Sequence, residues 1–315
     1  MESIDFISVG HVLIDLRLRV DRIPGADEEA SIKEETRGVG GSAANTAIAA
    51  RRLGLTSGVI AKIGLDDFGR MAVDHLLREG VDVTGLRVSL TLKTGFSIVA
   101  IDKSGSITLY SFKGASEDLQ SSEVPTEYIA GARHVHVASL RPDTSLTVMS
   151  LAKKSGASVS WDPGRRLALM GLDALNDIVS LADMVFVNRR EAEALTGKKD
   201  PGEAARLIAE RGPRMVVVKL GARGSLVLYE GETYFQHAIR PERVVDTTGA
   251  GDTYAATFVA FTLRGHSPQE AALAASLASS IKVSRLGSHE SPTLRELLEK
   301  AGELGLRIPL RHEVG

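Results

Sequence analysis

The sequence predicts an α/β protein with a doubly wound, mostly parallel central sheet flanked by helices, together with a small β-sheet lid. From residue 134 onward, short apolar strands alternate with helical segments, the order that builds a parallel sheet. Two segments, at about residues 12–36 and 90–114, interrupt that alternation with polar or half-polar strands, and we expect them to form the lid. No repeat or low-complexity linker divides the chain, so we expect a single domain over residues 1–315.

The amino-terminal half supplies the first sheet strands and both lid segments. Its predicted strands lie at residues 6–9, 13–20, 57–63, 94–101 and 107–112. One predicted helix opens at the glycine-rich residues 38–45 and continues to residue 53, and another covers residues 67–78. Asp102-Lys103-Ser104-Gly105 predicts a hairpin turn between the last two strands, and residues 30–33 are too polar for the central sheet.

The carboxyl-terminal half carries the regular strand–helix alternation. Its predicted strands lie at residues 134–138, 158–161, 184–187 and 215–219, followed by a hairpin through Tyr229 and Tyr234. Its predicted helices cover residues 143–155, a stretch reaching 181, a segment from 188, and residues 203–210, 252–264, 267–283 and 294–304. The last two begin at capping boxes formed by Ser267 with Glu270 and by Thr293 with Glu296.

Composition excludes several classes of protein. The net charge of −2 and the pI of about 6.5 provide no basic field for nucleic acid. The chain has no cysteine, which excludes disulfides, thiol catalysis and cysteine–zinc sites. No apolar run is long enough to span a membrane, and the first residues do not resemble a signal peptide, so we expect a cytoplasmic protein.

Residues 246–252 read Asp-Thr-Thr-Gly-Ala-Gly-Asp and connect a short apolar strand to a long apolar helix. Gly249, Ala250 and Gly251 have almost no side chain, so their N–H groups can converge on an anion at the positive end of the helix. Asp252 adds a carboxylate, and a base beside an anion site is what phosphoryl transfer to an alcohol requires. A glycine-rich turn with a helix-stabilising aspartate is an equally good interpretation of this stretch alone.

Other polar or glycine-rich groups fall at predicted strand ends, where open α/β sheets bind ligands. These groups lie at residues 10–15, 40–45, 162–165, 188–191 and 219–224. Ordinary structural roles remain open for them: Asn188 and Glu191 have the spacing of a capping box, and Asp15 could be an exposed strand residue. His134 and His136 share one strand face, which allows a metal pair, although no third ligand lies near them in sequence.

Two nucleotide-binding motifs are absent. The chain has no G-x-x-x-x-G-K-[ST] sequence, which argues against a P-loop enzyme. It has no G-x-G-x-x-G after the first strand, which argues against a Rossmann dehydrogenase.

Two motifs together resemble a known family. Residues 40–47, Gly-Gly-Ser-Ala-Ala-Asn-Thr-Ala, and residues 246–252 resemble the two hallmark motifs of the ribokinase-like (PfkB) carbohydrate and nucleoside kinases. Residues 63–69, 188–191 and 218–224 also resemble family segments, in the family order, so the resemblance covers essentially the whole chain. It implies a central sheet sandwiched by helices, a β-lid, and phosphoryl transfer from ATP to a hydroxyl of a small molecule.

The resemblance also implies roles for individual residues. Asp252 would be the general base, and Gly249, Ala250 and Gly251 would form the anion hole for the transferred phosphoryl group. The residues implied in acceptor binding are Asp15, Gly40, Gly41, Asn45, Phe96, Phe112 and Arg165. The residues implied in nucleotide binding are Asn188, Lys219, Gly221, Gly224 and Thr248. The implied cofactors are ATP and Mg²⁺, with Glu191 acting on Mg²⁺ through water and Asp246 belonging to a monovalent-cation site that some relatives have.

Departures from the family pattern bear on the acceptor. Ser42 stands where ribokinases carry lysine, which argues against a strict ribokinase. Asp162-Pro163-Gly164-Arg165 resembles a segment of archaeal-type nucleoside kinases and of some ketosugar kinases. The leading hypothesis is therefore transfer of the γ-phosphoryl group of ATP to a primary hydroxyl of a small sugar or sugar derivative, with a nucleoside kinase as the alternative.

Two hypotheses from other classes are more remote. One is a non-catalytic ligand-binding protein with this fold, and the other is a metal-dependent hydrolase built on His134 and His136. The expected partners are the acceptor and ATP, without nucleic acid or membrane. A homodimer formed through the lid is a further hypothesis, because the strands at residues 13–20 and 94–112 would otherwise present an open edge.

Overall fold

The computed structural model describes residues 3–104 and 106–309 of the chain. Its strands, in chain order, are β1 (Ile4–Val9), β2 (Leu13–Val20), β3 (Ile32–Gly40), β4 (Ser57–Ile60), β5 (Lys62–Gly64), β6 (Arg87–Ser89), β7 (Thr94–Ile101), β8 (Ile107–Gly114), β9 (Ala132–Ala138), β10 (Ser158–Asp162), β11 (Met184–Asn188), β12 (Met215–Lys219), β13 (Gly224–Tyr229) and β14 (Glu232–His237). Gly105, predicted in the hairpin turn, and residues 1–2 and 310–315 of the predicted domain lie outside the described residues.

The large sheet has the strand order β14-β13-β12-β11-β10-β9-β1-β4. The strands from β12 to β4 run parallel, and β13 and β14 add an antiparallel hairpin at one edge. Helices cover both faces of the parallel part, so consecutive residues of its strands are buried, as in the Met-Val-Val-Val run of β12. The predicted mostly parallel central sheet is confirmed.

Helices flank the large sheet. In chain order they are α1 (Ser42–Arg52), α2 (Asp67–Arg78), α3 (Thr126–Ala130), α4 (Pro142–Lys154), α5 (Gly164–Ala168), α6 (Asn176–Val179), α7 (Arg189–Thr196), α8 (Pro201–Ala209), α9 (Ala250–Leu263), α10 (Pro268–Val283) and α11 (Leu294–Glu303). The capping boxes predicted at the starts of α10 and α11 are present. Within the described residues, none of these helices is both long and apolar enough to cross a membrane.

Alternate residues of the strands face two different helical layers. In β11, Val185 and Val187 belong to the apolar cluster that includes buried residues of α4, α7 and α8. Phe186, between them in sequence, faces the other side and packs edge-on against Phe258 of α9, with ring centroids 5.6 Å apart. The large sheet is thus the middle of three layers, and α9 and α10 lie on one side of it.

The remaining long strands form a separate small sheet with the order β3-β2-β7-β8. Strand β2 runs antiparallel to β3 and parallel to β7, and β7 and β8 form the predicted hairpin. One face of this small sheet is buried: Ile14 and Val39 belong to the apolar cluster that includes Ile48 of α1 and Leu76 of α2. Its strands come from the two segments that the sequence separates from the central sheet.

Two local predictions were wrong, and a third was confirmed. The strand predicted at residues 57–63 is two strands, because β5 leaves the large sheet and pairs with β6. The prediction that the polar residues 30–33 lie outside the central sheet is confirmed: they lead into β3, an edge strand of the small sheet that tolerates polar side chains on its exposed face. The helical stretch predicted to reach residue 181 breaks into α5 and α6, since Gly171 between them has a left-handed φ of 82°.

The edge predicted for the small sheet also needs correction. Strand β2 (Leu13–Val20) lies inside that sheet, with a neighbour on either side. The open edges belong to β3 and β8. Strand β2 was predicted to be exposed because alternation of apolar and charged residues identifies a half-exposed face but does not reveal whether a strand is at an edge.

Candidate active site

The parallel strands end at one edge of the large sheet, and polar residues cluster there. Asp162 ends β10, Asn188 ends β11 and Lys219 ends β12, with Asn188 and Lys219 paired in register. The start of α9 reaches the same place, because a Cβ added to Gly251 would lie only 3.3 Å from the Lys219 Nζ. The structure therefore brings the motif at residues 246–252 together with groups from three neighbouring strands.

The start of α9 has the features of an anion site. Gly249 precedes the helix with a φ of 77°, a left-handed conformation that glycine adopts without strain. A side chain at this position would also collide with the backbone oxygen of Ser288. No described side chain caps α9, so N–H groups of its first turn are left for a ligand at the positive end of the helix dipole.

Asp252 lies in that first turn and is partly buried. Its Oδ2 accepts a hydrogen bond of 2.7 Å from the Asn45 Nδ2, which joins the two glycine-rich motifs. Burial raises the pKa of Asp252 to about 6, with a further increase from the charge of Asp162, while the hydrogen bond from Asn45 lowers it. A carboxylate with this pKa is ionised at neutral pH and is still basic enough to accept a proton from an alcohol.

Lys219 brings a positive charge to the same site. Its Nζ donates to the Asp162 Oδ2 at 2.8 Å. Burial lowers the pKa of Lys219, but the carboxylates of Asp162 and Glu191 more than offset that effect and raise it above its ordinary value. The ammonium therefore stays protonated beside the first turn of α9.

Asn188 and Glu191 form the capping box that was the ordinary interpretation of their spacing. The Asn188 Oδ1 accepts from the Glu191 N at 3.0 Å, and the Glu191 Oε2 accepts from the Asn188 N at 2.8 Å. Burial and the nearby charge of Asp162 raise the pKa of Glu191. A role for Glu191 toward Mg²⁺ stays a prediction.

Asp15 is buried at the junction of the small sheet and the large one. Its carboxylate accepts hydrogen bonds from Ser97 at 2.5 Å, from Ser288 at 2.8 Å and from Arg17 at 3.1 Å. Gly40 lies against this carboxylate so closely that a side chain there would overlap it. The exposed-strand interpretation of Asp15 was wrong, because β7 covers one side of β2 and contributes Ser97.

Oxygen atoms in the first glycine-rich motif are left without partners. Asn45 uses its Nδ2 on Asp252, but its Oδ1 is buried with no hydrogen bond among the described residues. The Ser42 Oγ is likewise buried with no hydrogen bond among the described residues. Gly41, just before α1, has a φ of 96°, so the backbone passes close to His11 where a side chain would not fit. Unpaired oxygens in a buried site are suited to the hydroxyl groups of a ligand.

Two positive side chains, Lys113 and Arg166, lie near His11. Burial, together with the charges of Lys113 and Arg166, lowers the pKa of His11 to about 3, so both cations lie near His11. Lys113 is half-buried and forms no ion pair with any described residue. It lies near enough to Asp15 for the charge of that carboxylate to act on its pKa in the upward direction. Arg166 pairs with Glu117. Arg165, the arginine predicted to bind the acceptor, is exposed, and its role stays a prediction.

Phe96 and Phe112 face each other across β7 and β8, with ring centroids 5.5 Å apart. Phe96 also contacts Phe68 of α2 at 5.9 Å, so it contributes to the packing of the small sheet on the helices. Phe112 leaves 47% of its surface exposed. A covering role over the acceptor stays a prediction for both.

A cavity of about 510 Å³ opens beside the anion site, on the β13 and α10 side. Gly221, Gly224 and Lys219 line it, as the resemblance implied for the nucleotide, and Ala238, Ile239 and Val244 make one wall apolar. Its size and mixed lining are those of a site for a small ligand. In the motif itself, Thr247 lines the cavity, whereas the Thr248 N donates to Asp246 at 2.9 Å.

Lys282 is a residue that the sequence analysis missed. It lies in α10, is completely buried, and donates from its Nζ to the backbone oxygen of Asp246 at 2.7 Å. A lysine inside the otherwise small and apolar sequence Ala-Ala-Leu-Ala-Ala-Ser-Leu-Ala-Ser-Ser-Ile-Lys-Val was the available signal, since a lysine on a buried helix needs a specific partner.

His134 and His136 are occupied by hydrogen bonds. The His134 ring contacts the hydroxyls of Ser158 and Ser160 at 2.7 Å, and the His136 Nδ1 lies 2.7 Å from the same Ser160 hydroxyl. Among the described residues, no group of three or more histidines and carboxylates is arranged to hold a metal ion. Their arrangement is that of buried neutral core histidines.

Comparison with known proteins agrees with this geometry. A family model described as pfkB family carbohydrate kinase matches residues 3–294. An ATP-dependent ribose-1-phosphate kinase of Halopiger xanaduensis is 35% identical over 287 residues, which cover 91% of this chain and 94% of that protein. A nucleoside kinase of Methanothermobacter thermautotrophicus is 30% identical over 264 residues, or 84% of each chain.

A solved structure has the same fold. The structure of Arabidopsis thaliana ribokinase complexed with ribose and ATP superposes with a TM-score of 0.84 at 26% sequence identity, covering 95% of this chain and 98% of that one. The family match spans both glycine-rich motifs, which α1 and α9 bring together through Asn45 and Asp252. The chain therefore belongs to the PfkB family of carbohydrate kinases and is a phosphotransferase that acts on a hydroxyl group.

Proposed function

We propose that this protein transfers the γ-phosphoryl group of ATP to a primary hydroxyl of a sugar that carries an anionic substituent, as ribose 1-phosphate does. The observation that carries the proposal is the convergence at the start of α9 of the Asp252 carboxylate, the uncapped first turn and the Lys219 ammonium. Phosphoryl transfer to an alcohol needs a base, N–H donors for the charge of the transferred group, and a cation nearby.

Asp252 is the general base in this proposal. Asn45 holds its carboxylate at 2.7 Å, and the pKa of about 6 leaves it deprotonated at neutral pH. The acceptor hydroxyl gives its proton to Asp252 as its oxygen bonds to the γ-phosphorus and the bond from that phosphorus to the β–γ bridging oxygen breaks. N–H groups at Gly249–Gly251 and the Lys219 ammonium stabilise the negative charge on the transferred group and on the departing ADP.

ATP binds in the cavity beside this site. Its apolar wall at Ala238, Ile239 and Val244 suits the adenine ring, and the glycines at 221 and 224 let the backbone approach the phosphates. Asn188 and Thr248 keep their predicted nucleotide-binding roles. Use of ATP is in keeping with the cytoplasmic location expected from the sequence.

The residues present also fit Mg²⁺. Asp162 and Glu191 place two carboxylates close enough for the charge of Asp162 to raise the pKa of Glu191, and a divalent cation relieves such repulsion. The described residues build no cage of three or more ligands, which is usual for Mg²⁺ that binds together with substrate phosphates. Glu191 and Asp162 would hold the hydrated ion, and the ion would supply neutralising charge at the phosphates.

An anionic acceptor is supported by the charges on the acceptor side. Lys113 is half-buried and forms no ion pair in the described chain. Burial lowers its pKa because the ammonium is poorly solvated there, and an anionic ligand would stabilise the charged form. Arg166 adds a second cation near His11. The relative at 35% identity is named for ribose 1-phosphate, whose phosphate would supply that partner. The unpaired oxygens of Asn45 and Ser42 remain available for its hydroxyls.

A nucleoside kinase is the second candidate. The 30% identical relative carries that name, and the partly exposed Phe112 offers an aromatic face for a base. A neutral nucleoside leaves Lys113 without a partner, which is why the anionic sugar is preferred.

Substrate comparison tests the proposal. We expect the highest kcat/KM with ribose 1-phosphate in a panel that also contains ribose, fructose, 2-dehydro-3-deoxygluconate, adenosine, inosine and cytidine. Lys113→Met should lower kcat/KM for the phosphorylated acceptor by roughly 10- to 100-fold, the value of a hydrogen bond to a charged group, and leave neutral acceptors nearly unchanged. Lys103→Met, an exposed lysine in the turn of the same hairpin, is the matched control. Preference for a neutral acceptor, or an equal effect on all acceptors, would refute the anionic assignment.

The transfer step has its own test. Asp252→Asn should give a folded protein whose kcat falls by roughly 10² to 10⁴, the usual contribution of a general base. Comparable turnover in the variant would exclude Asp252 as the base. Binding of ATP and acceptor by the unmodified protein without any product would instead support a non-catalytic binding protein.

A further inference from the structure

Lys282 is a completely buried lysine, and charged side chains are rarely buried in this way. Its side chain is completely buried in the last turn of α10. The Nζ donates to the backbone oxygen of Asp246 at 2.7 Å and lies 3.9 Å from the Asp246 Oδ2. A buried ammonium is costly to fold unless it is paired and hydrogen-bonded, and methionine would fill the same space without that cost. The position therefore calls for an explanation beyond packing.

Asp246 is the first residue of the loop that ends in the anion site, and its oxygens are already used. The Oδ1 accepts from the Thr248 N at 2.9 Å, and the Oδ2 accepts from the Gly287 N at 3.1 Å. The Arg17 Nε lies 3.7 Å from the same Oδ2, and Lys282 takes the backbone oxygen. The family resemblance implied that Asp246 belongs to a monovalent-cation site that some relatives have. A bare cation at these oxygens would lie beside the positive charges of Lys282 and Arg17, which repel it, so the residues present do not fit one here.

Lys282 is also placed to act on the reaction. The N–H groups of Val245 and Asp246 both donate to the Val283 oxygen, which ties the loop to the end of α10 next to Lys282. From Asp246 the chain passes directly to Gly249 and the first turn of α9. The charge of Lys282 extends to Asp252, where it lowers the pKa of the carboxylate. The ammonium therefore lies against the loop, in contact with the backbone oxygen of Asp246.

We propose that the Lys282 ammonium is an internal cation that takes the place of a bound monovalent ion, so that phosphoryl transfer in this chain needs no K⁺ or other added monovalent cation. Lys282 is a positioning residue: it acts through the backbone of Asp246 on the loop that carries the anion site. The proposal rests on the proposed phosphoryl transfer for its rate measurements, but not for its measurements of stability.

The first experiment uses the unaltered protein. Phosphoryl transfer and the thermal unfolding temperature are measured with Tris-ATP and Mg²⁺ salts while K⁺ replaces choline at constant ionic strength. We expect the rate to change by less than about twofold, because no cation site is left to fill, and the unfolding temperature to stay constant for the same reason. Activation by K⁺ of about fivefold or more, or a rise of the unfolding temperature specific to K⁺, would overturn the proposal.

Two substitutions separate the charge from the space it occupies. Lys282→Met keeps most of the bulk and should lower kcat by roughly 10- to 100-fold, as expected for a lost charged hydrogen bond, with no recovery in K⁺. Lys282→Ala opens room beside Asp246, so K⁺, ammonium or methylammonium should restore much of its lost rate and raise its unfolding temperature, while choline should do neither. Lys154→Met, which removes an exposed lysine from the last turn of α4, is the control and should match the unaltered protein throughout.

The outcomes distinguish this inference from the proposed function. Full activity of Lys282→Met, or failure of K⁺, ammonium and methylammonium alike to stabilise Lys282→Ala, would overturn the internal cation. The stability measurements need no acceptor, so they decide the inference even if every tested acceptor proves wrong. If neither variant folds, the K⁺ series on the unaltered protein decides alone.

Discussion

The hydrogen bond from Asn45 to Asp252 leads to a prediction about the pH dependence of the rate. It joins the two glycine-rich motifs at 2.7 Å and stabilises the ionised form of the proposed base. In Asn45→Leu the donor is lost, and an apolar side chain of similar size keeps water from replacing it. The pKa of Asp252 should therefore rise above its value of about 6.

The size of that rise follows from the strength of the bond. A hydrogen bond to a charged group contributes roughly 1.5–3 kcal/mol, and one pKa unit corresponds to about 1.4 kcal/mol, so the pKa should rise by roughly 1 to 2 units. Since the base acts only when deprotonated, kcat/KM increases with pH through this pKa and levels off above it. The acid limb of the variant should thus lie near pH 7 to 8, about 1 to 2 units above that of the unaltered protein.

The assay is kcat/KM from pH 5 to pH 9, which reports the pKa of the free enzyme. Asn176→Leu is the matched control, because the Asn176 Oδ1 bonds only to Arg211 at 3.0 Å among the described residues and lies away from the site. Its profile should coincide with that of the unaltered protein. An acid limb that stays in place in Asn45→Leu while the plateau falls would refute the reasoning, since Asn45 would then act on the acceptor and not on the base.

Three further predictions concern stability and assembly. Gly249→Ala should lower the free energy of unfolding by at least about 1 kcal/mol, because alanine strains the φ of 77° and meets the Ser288 oxygen; unchanged urea unfolding would contradict this. The exposed Tyr110 on edge strand β8 predicts a dimer of twice the 33.5 kDa chain mass in light scattering, lost in Tyr110→Lys; a monomeric unaltered protein would refute it. Burial lowers the pKa of His134 and His136 to about 3 and 4, so stability should fall as pH drops below the ordinary value of 6.5, where the unfolded chain takes up protons first; equal unfolding midpoints at pH 7 and pH 5 would contradict this.

Much of the fold could be predicted because its determinants are local. Valine-rich runs such as that of β12 mark buried parallel strands, and the capping boxes at Ser267 and Thr293 mark helix starts. The proposed anion site was predicted from seven consecutive residues, 246–252, because its glycines and its aspartate are neighbours in sequence. Where local patterns were ambiguous, prediction failed: the apolar residues 57–63 do not reveal that β5 turns away from the large sheet.

The rest of the site depends on contacts between distant parts of the chain. Ser288 donates to Asp15 across 273 positions, and Ser97 reaches the same carboxylate across 82. The role of Lys282 can be recognised only in the folded chain, where α10 packs against the loop at Asp246. No spacing rule connects such residues, so a single sequence identifies the motif residues and misses the side chains that hold them.

Arg17 connects two parts of the site that have been treated separately. It stands on β2, yet its Nη2 contacts Asp15 on the acceptor side and its Nε lies 3.7 Å from Asp246 at the base of the anion loop. If the acceptor binds Asp15, as the proposed function has it, the contact of Arg17 with Asp246 would change, and with it the loop proposed to meet the phosphates. Because coupling between two bound ligands is reciprocal, ATP must change the affinity for the acceptor by the same factor. We therefore expect equilibrium binding of the two substrates to be cooperative within one chain, so that the affinity measured for either one depends on whether the other is present.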